Sequence, residues 1–162
     1  MTSRVFCGID PGLSGAIGFI DEAGRFLAVV DMPVLIATTG RKQVDPIALA
    51  AILREYDIER VLVERVGPRP GEGPTGAFGF GHTFGAILGV LGALGVSHDL
   101  IQPATWKRRA GIPPGSDKGV SIATCKRLLP DAAPFLVRLR DDGRAEALLL
   151  ALQARYGAVG TP

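Results

Sequence analysis

Val5-Phe6-Cys7-Gly8-Ile9-Asp10-Pro11-Gly12 decides the fold. Its first five residues make a short apolar β run, Asp10 ends the run, and Pro11-Gly12 turns the chain. Gly15–Ile20 is a second run carrying β-branched and aromatic residues. Asp21-Glu22-Ala23-Gly24 is a second turn and Arg25–Asp31 a third strand. Three strands joined by tight turns make an antiparallel meander. Asp10 closes a strand of the core, where a solvated surface acid rarely stands.

Working outward, Met32–Val44 reads as irregular, with Thr38-Thr39-Gly40-Arg41-Lys42 as a mobile loop. Asp45-Pro46 is an N-cap followed by proline at the first helical position, and the helix it starts extends to Tyr56. Arg60–Val66 is the next strand. Its unalternating Val61-Leu62-Val63 suits a strand covered on both faces. Gly67–Gly81 holds three prolines and six glycines and reads as a long functional loop. His82–Leu94 reads as an apolar helix, Ser97–Gln102 as a fifth strand, and Ala104–Ala110, Asp117–Leu128 and Asp142–Tyr156 as helices. A meander followed by βα units predicts an α/β domain over residues 1–162. Its mixed five-stranded sheet, antiparallel and then parallel, carries helices on both faces.

The chain has 162 residues, 47% of them apolar, which suits one compact domain with a substantial core. The longest apolar run, Ala86–Val96, is short of the ~20 residues a bilayer requires. No membrane partner is expected. The N-terminus enters a strand directly, and Cys7 and Cys125 fall in core elements as free thiols, so a reducing, cytoplasmic setting is expected.

Three further acids share Asp10's unusual setting. Glu64 ends Val61-Leu62-Val63-Glu64, while Asp142 and Glu146 stand four apart on the last helix and therefore on one face. Asp141 is turned away from Glu146 and is the weaker alternative. Hard divalent cations take carboxylate oxygens, and an all-carboxylate site commonly serves phosphate chemistry. Each acid alone has a plainer account: a helix-dipole partner for Asp142, a solvated strand end for Glu64. With these four acids set aside, 18 basic residues face 12 acidic ones. The basic residues cluster at Arg65 and Arg69, at Lys107, Arg108 and Arg109, at Lys126 and Arg127, and at Arg138, Arg140 and Arg144. An acidic centre in a basic rim suits a polyanion that is also cut; a solvated mixture of charges is the alternative.

Gly8-Ile9-Asp10-Pro11-Gly12, Val63-Glu64, Lys107, Asp117-Lys118 and Asp142-Gly143-Arg144-Ala145-Glu146-Ala147-Leu148-Leu149, in that order and spacing, resemble the RuvC-type Holliday junction resolvases. The phage, prophage and chloroplast branches are the most similar, and the resemblance runs from residue 4 to residue 157. It implies an RNase H-like fold, a homodimer and divalent-metal-dependent nicking of four-way DNA junctions. By this match Asp10, Glu64, Asp142 and Glu146 are the metal-binding catalytic acids, holding Mg²⁺ with Mn²⁺ as the alternative ion. The expected mechanism is that of two ions held with Asp10 shared between them, in which in-line attack by water would leave a 5′-phosphate and a 3′-hydroxyl. Lys118 matches a basic residue that approaches the cleaved phosphate; a solvated first-turn lysine is the alternative. Arg65, Arg69, Lys107, Arg108, Lys118 and Arg144 are the expected backbone contacts. A branch-migration motor as partner is left open.

Two departures stand out. The last two acids are four apart, as in the chloroplast branch, where bacterial RuvC spaces them by three. Bacterial RuvC also carries an aromatic wedge where this chain has Gly67. Phe78 and Phe80 can substitute by stacking on an unpaired base, or can simply anchor their loop. Three rival functions remain at this stage. An actin-like ATPase shares the Asp-Gly strand turn but needs a second lobe. A branched-nucleic-acid binding module would not cut, and an RNase H-like nuclease would act on RNA, forks or flaps.

Overall fold

The computed structural model describes residues 4–67 and 70–157. In chain order these form β1 (Val5–Asp10), β2 (Ala16–Asp21), β3 (Phe26–Asp31), β4 (Val34–Ile36), β5 (Lys42–Val44), α1 (Pro46–Arg54) and β6 (Ile58–Glu64). Then come α2 (Pro74–Ala93), β7 (His98–Ile101), α3 (Pro103–Arg109), α4 (Lys118–Leu128), two 3-10 turns at Pro130–Phe135 and Leu139–Asp141, and α5 (Asp142–Ala154). The main sheet has the order β3-β2-β1-β6-β7. β1 pairs antiparallel with β2 and parallel with β6, and β7 is parallel to β6. The five-stranded mixed sheet expected from the sequence is therefore present.

Strand periodicity divides the core into two layers. Cys7, Ile9, Ile17, Phe19, Val61 and Val63 face α1 and α2, where Leu49, Leu53, Ile87 and Leu91 are buried against them. Ile20, Leu62 and Ile101 face α3, α4 and α5 and pack with Trp106, Ile122, Leu148 and Leu149. Counting by two from Leu62 puts Glu64 on the α5 face, and counting from Gly8 puts Asp10 there too.

Gly8 and Gly18 are cross-strand partners, and α5 crosses the sheet over this pair. A Cβ on Gly8 would lie 2.1 Å from the Ala147 carbonyl oxygen, and one on Gly18 2.8 Å from the Leu148 nitrogen. The two glycines form the saddle that lets α5 touch the sheet backbone.

Two sequence expectations need correction. Met32–Val44 contains the β4–β5 hairpin, paired Val34↔Val44 and Ile36↔Lys42. Its strands are three residues each, too short for a periodic signal. The loop expected over Gly67–Gly81 is interrupted, because α2 starts at Pro74 and takes in Phe78 and Phe80. Glycine's low helix propensity hid that first turn, while proline at the helix start favoured it. The longer α2 has 20 residues and, by length and composition alone, could cross a membrane. Its inner face instead buries Thr83, Ile87 and Leu91, as a helix laid on a sheet does.

Candidate active site

Parallel pairing of β1 and β6 brings Ile9 level with Val63, so the next residues, Asp10 and Glu64, end adjacent strands side by side. The first turn of α5 arrives from above. A Cβ on Gly143 would lie 3.0 Å from Asp10 Oδ2, so only a residue without a side chain lets α5 come this close. Asp142 and Glu146 then project from the same end of that helix, and each of the four acids is partly buried.

The acids sense one another. The Asp10 pKa is pushed up to about 7, first by burial and then by the charges of Glu64, Glu146 and Asp142, with Lys107 opposing. Lys118 Nζ lies 2.9 Å from Asp142 Oδ2, and Lys107 Nζ lies 3.1 Å from Glu146 Oε1. Ser121 Oγ donates to Glu146 Oε1 at 3.1 Å. Trp106 Nε1 donates to Glu64 Oε2 at 2.5 Å. The Lys118 pKa is raised by its bond to the Asp142 carboxylate.

Among the described residues, no three acidic, histidine or cysteine side chains are gathered as ligands around one point. The expected chelating cage is thus not assembled in this arrangement. The four carboxylates are electrical neighbours, but Asp142 and Glu146 are drawn to lysines that balance their charge. The donor chemistry nevertheless fits a hard divalent cation: four carboxylates and no sulfur, with Asp10 pushed up to about 7 by burial and by its acidic neighbours.

Asp141, the alternative ligand, is buried and committed elsewhere. Its carboxylate accepts from Arg138 Nη2 at 2.7 Å and from the Arg138 backbone N–H at 2.7 Å, and its pKa is lowered to about 2 by these bonds. It secures the turn into α5, while Asp142 faces the other acids. Arg144, expected as a DNA contact, forms a two-pronged pair with Asp31 at 2.6 and 2.7 Å and ties α5 to β3. That pair spans 113 residues and left no local trace in the sequence.

Arg65 and Arg108 are exposed near the acids' end of the sheet, one following Glu64 and the other following Lys107 on α3. Arg69 lies outside the described residues. Phe78 is 78% exposed. Phe78 and Phe80 line a cleft of about 400 Å³ between α2 and the β4–β5 hairpin, facing Arg41 and Lys42, with Leu13 from the turn after Asp10 at its edge. Sequence reasoning missed this cleft, because the hairpin that forms one wall carries no periodic signal. It also missed Trp106 and Ser121, whose contacts depend on tertiary placement.

Comparison with solved structures places this arrangement. The structure of Thermus thermophilus RuvC bound to a Holliday junction substrate covers 94% of this chain, and 94% of its own chain is matched, with a TM-score of 0.58 and 19% identity. A second Thermus thermophilus RuvC structure matches 96% of this chain and 98% of its own, with a TM-score of 0.57 and 21% identity. The fold is that of RuvC. No model of a known protein family matches the sequence. A Chlamydomonas reinhardtii protein, the chloroplastic Holliday junction resolvase MOC1, is 30% identical over 125 residues, which is 74% of this chain. The chain spans only 14% of that relative's length. In this RuvC fold the sheet, the α5 crossing and the strand-end acids are the parts that define the candidate site.

Proposed function

We propose that this chain is a structure-specific endodeoxyribonuclease that resolves four-way DNA junctions by paired, divalent-metal-dependent hydrolysis. One observation carries the proposal: Asp10, Glu64, Asp142 and Glu146 stand together at one end of a RuvC-fold sheet, where burial first, and then the charges of the other three acids, push the Asp10 pKa up to about 7. The junction substrate rests on what RuvC binds and on the resolvase identity of MOC1.

Asp10, Glu64, Asp142 and Glu146 are the residues that would hold Mg²⁺ or Mn²⁺. When bound, the cation supplies charge for activating water and for stabilising the departing 3′ oxygen. The chain's own groups do the rest. Lys118, exposed at the first turn of α4, and Lys107 on α3 pair with Asp142 and Glu146. With a cation present they are free to meet the phosphate. Arg65 and Arg108 hold the backbone from the rim. Phe78 and Phe80, opposite Arg41 and Lys42, offer a stacking surface with charge beside it, which suits an unpaired base and its phosphate.

The outer face of α2 supports a homodimer. Gly81, Gly85, Gly89 and Gly92 recur at helical spacing, are exposed, and have nothing within 4 Å of an added Cβ. Such a face admits a second helix at close range, and a two-fold pair of sites matches a two-fold junction.

A cleavage assay on a synthetic four-way junction, beside matched duplex and flap and with and without Mg²⁺, tests this function. Junction-selective, Mg²⁺-dependent nicks in opposed strands are expected. Equal cutting of the flap would move the activity to another RNase H-like nuclease, and binding without any product would make the chain a recognition module.

A further inference from the structure

We propose that Trp106 is a positioning residue that fixes Glu64 for metal binding; this rests on the metal-site assignment above. β7 ends level with Glu64, Pro103 starts α3 two residues later, and Trp106 lies one turn into that helix. The chain path therefore delivers the indole to the end of β6. Its Nε1–H donates to Glu64 Oε2, and its ring is fully buried among Leu62, Ile101 and Leu136. Gln153 Nε2 donates to the Trp106 carbonyl at 2.9 Å and ties α3 to α5, the helix that carries the other two acids.

The partners of the acids differ in kind. Lys107 and Lys118 are charged and 37% and 69% exposed in their side chains, with the Lys107 ammonium also 5.2 Å from the centre of the Trp106 ring. Trp106 is neutral and locked in the core. A neutral donor bonded to one carboxylate oxygen orients Glu64 without bringing a positive charge of its own. Partners that orient a ligand in this way tune metal affinity strongly.

Trp106 is the chain's single tryptophan, so the indole reports on its own contact. In the wild-type protein, titration with Mn²⁺ should shift or quench its emission in step with calorimetric binding. Glu64→Gln should change the emission in chelator, because the carboxylate acceptor of the indole N–H is replaced. Trp106→Phe, checked for folding by far-UV circular dichroism, should bind Mn²⁺ roughly 10- to 100-fold more weakly. Leu136→Ala, which loosens the same core away from the acids, should bind as wild type does. If wild-type protein binds no divalent ion, the metal-site assignment fails and this inference with it. If wild type binds but Trp106→Phe binds equally well, or Leu136→Ala weakens binding as much, the positioning role alone is overturned. Should Trp106→Phe not fold, unchanged emission in Glu64→Gln overturns the role.

Discussion

At the scale of single residues, Asp10 carries a cost that only a cation or a proton removes. An unfolded aspartate ionises near 3.8, whereas in the folded, metal-free protein the group protonates at about 7. The folded state therefore holds the proton more tightly between these values. Its stability is greatest at the low end and falls as pH rises, by roughly 4 kcal/mol once Asp10 is fully ionised. In chelator, Asp10→Asn should melt progressively higher than wild type as pH goes from 5 to 8; thermal melts across that window check this, and a constant difference refutes it. Asp141 works in the opposite sense, since its pKa is lowered to about 2. Its stabilisation is complete above the ordinary carboxylate value and fades as pH falls towards 2. Asp141→Asn should cost about 1–3 kcal/mol by weakening its bonds to Arg138, read as a lower urea midpoint. The four acids were legible in the sequence because strand ends and an i, i+4 pair are local patterns. The separate duties of Asp141 and Asp142 were not, because the Arg138 clasp forms only when the 3-10 turn closes.

At the scale of elements, the site exists because α5 lies directly on the β1–β2 backbone. Gly8→Ala would drive a methyl group into the Ala147 carbonyl, which no rotamer change relieves. It should destabilise by about 3 kcal/mol or more, seen as a fall in melting temperature. The same shift would lift Asp142 and Glu146 from Asp10, so any folded fraction should bind divalent ions poorly. Gly143→Ala makes a narrower test: its Cβ meets the Ser14 carbonyl oxygen at 2.9 Å and Asp10 Oδ2 at 3.0 Å. The meander, the βα units and the capped α1 were readable because each depends on neighbours in sequence. Asp45 accepts from the Ile47 and Ala48 N–H groups at 3.0 Å, as its place before Pro46 suggested. The early start of α2 and the β4–β5 hairpin were not readable, since tertiary packing overrode glycine propensity in one and the strands of the other are too short.

At the scale of the whole molecule, the proposed dimer and the proposed substrate share one logic of symmetry. Replacing Gly85 by arginine puts a long charged side chain on an open helical face and removes a helix-weakening glycine. The monomer should fold at least as well, while self-association should be lost in light scattering behind a sizing column. Paired cutting of a junction should then become uncoupled single nicks. A Gly85→Arg protein that still dimerises would put the contact elsewhere. The most direct test of the central claim, that four acids form one cutting centre, is the Asp10→Asn variant on a radiolabelled four-way junction in Mg²⁺. Loss of all nicking with junction affinity equal to or above wild type is the predicted result; cutting at the wild-type rate would contradict the account.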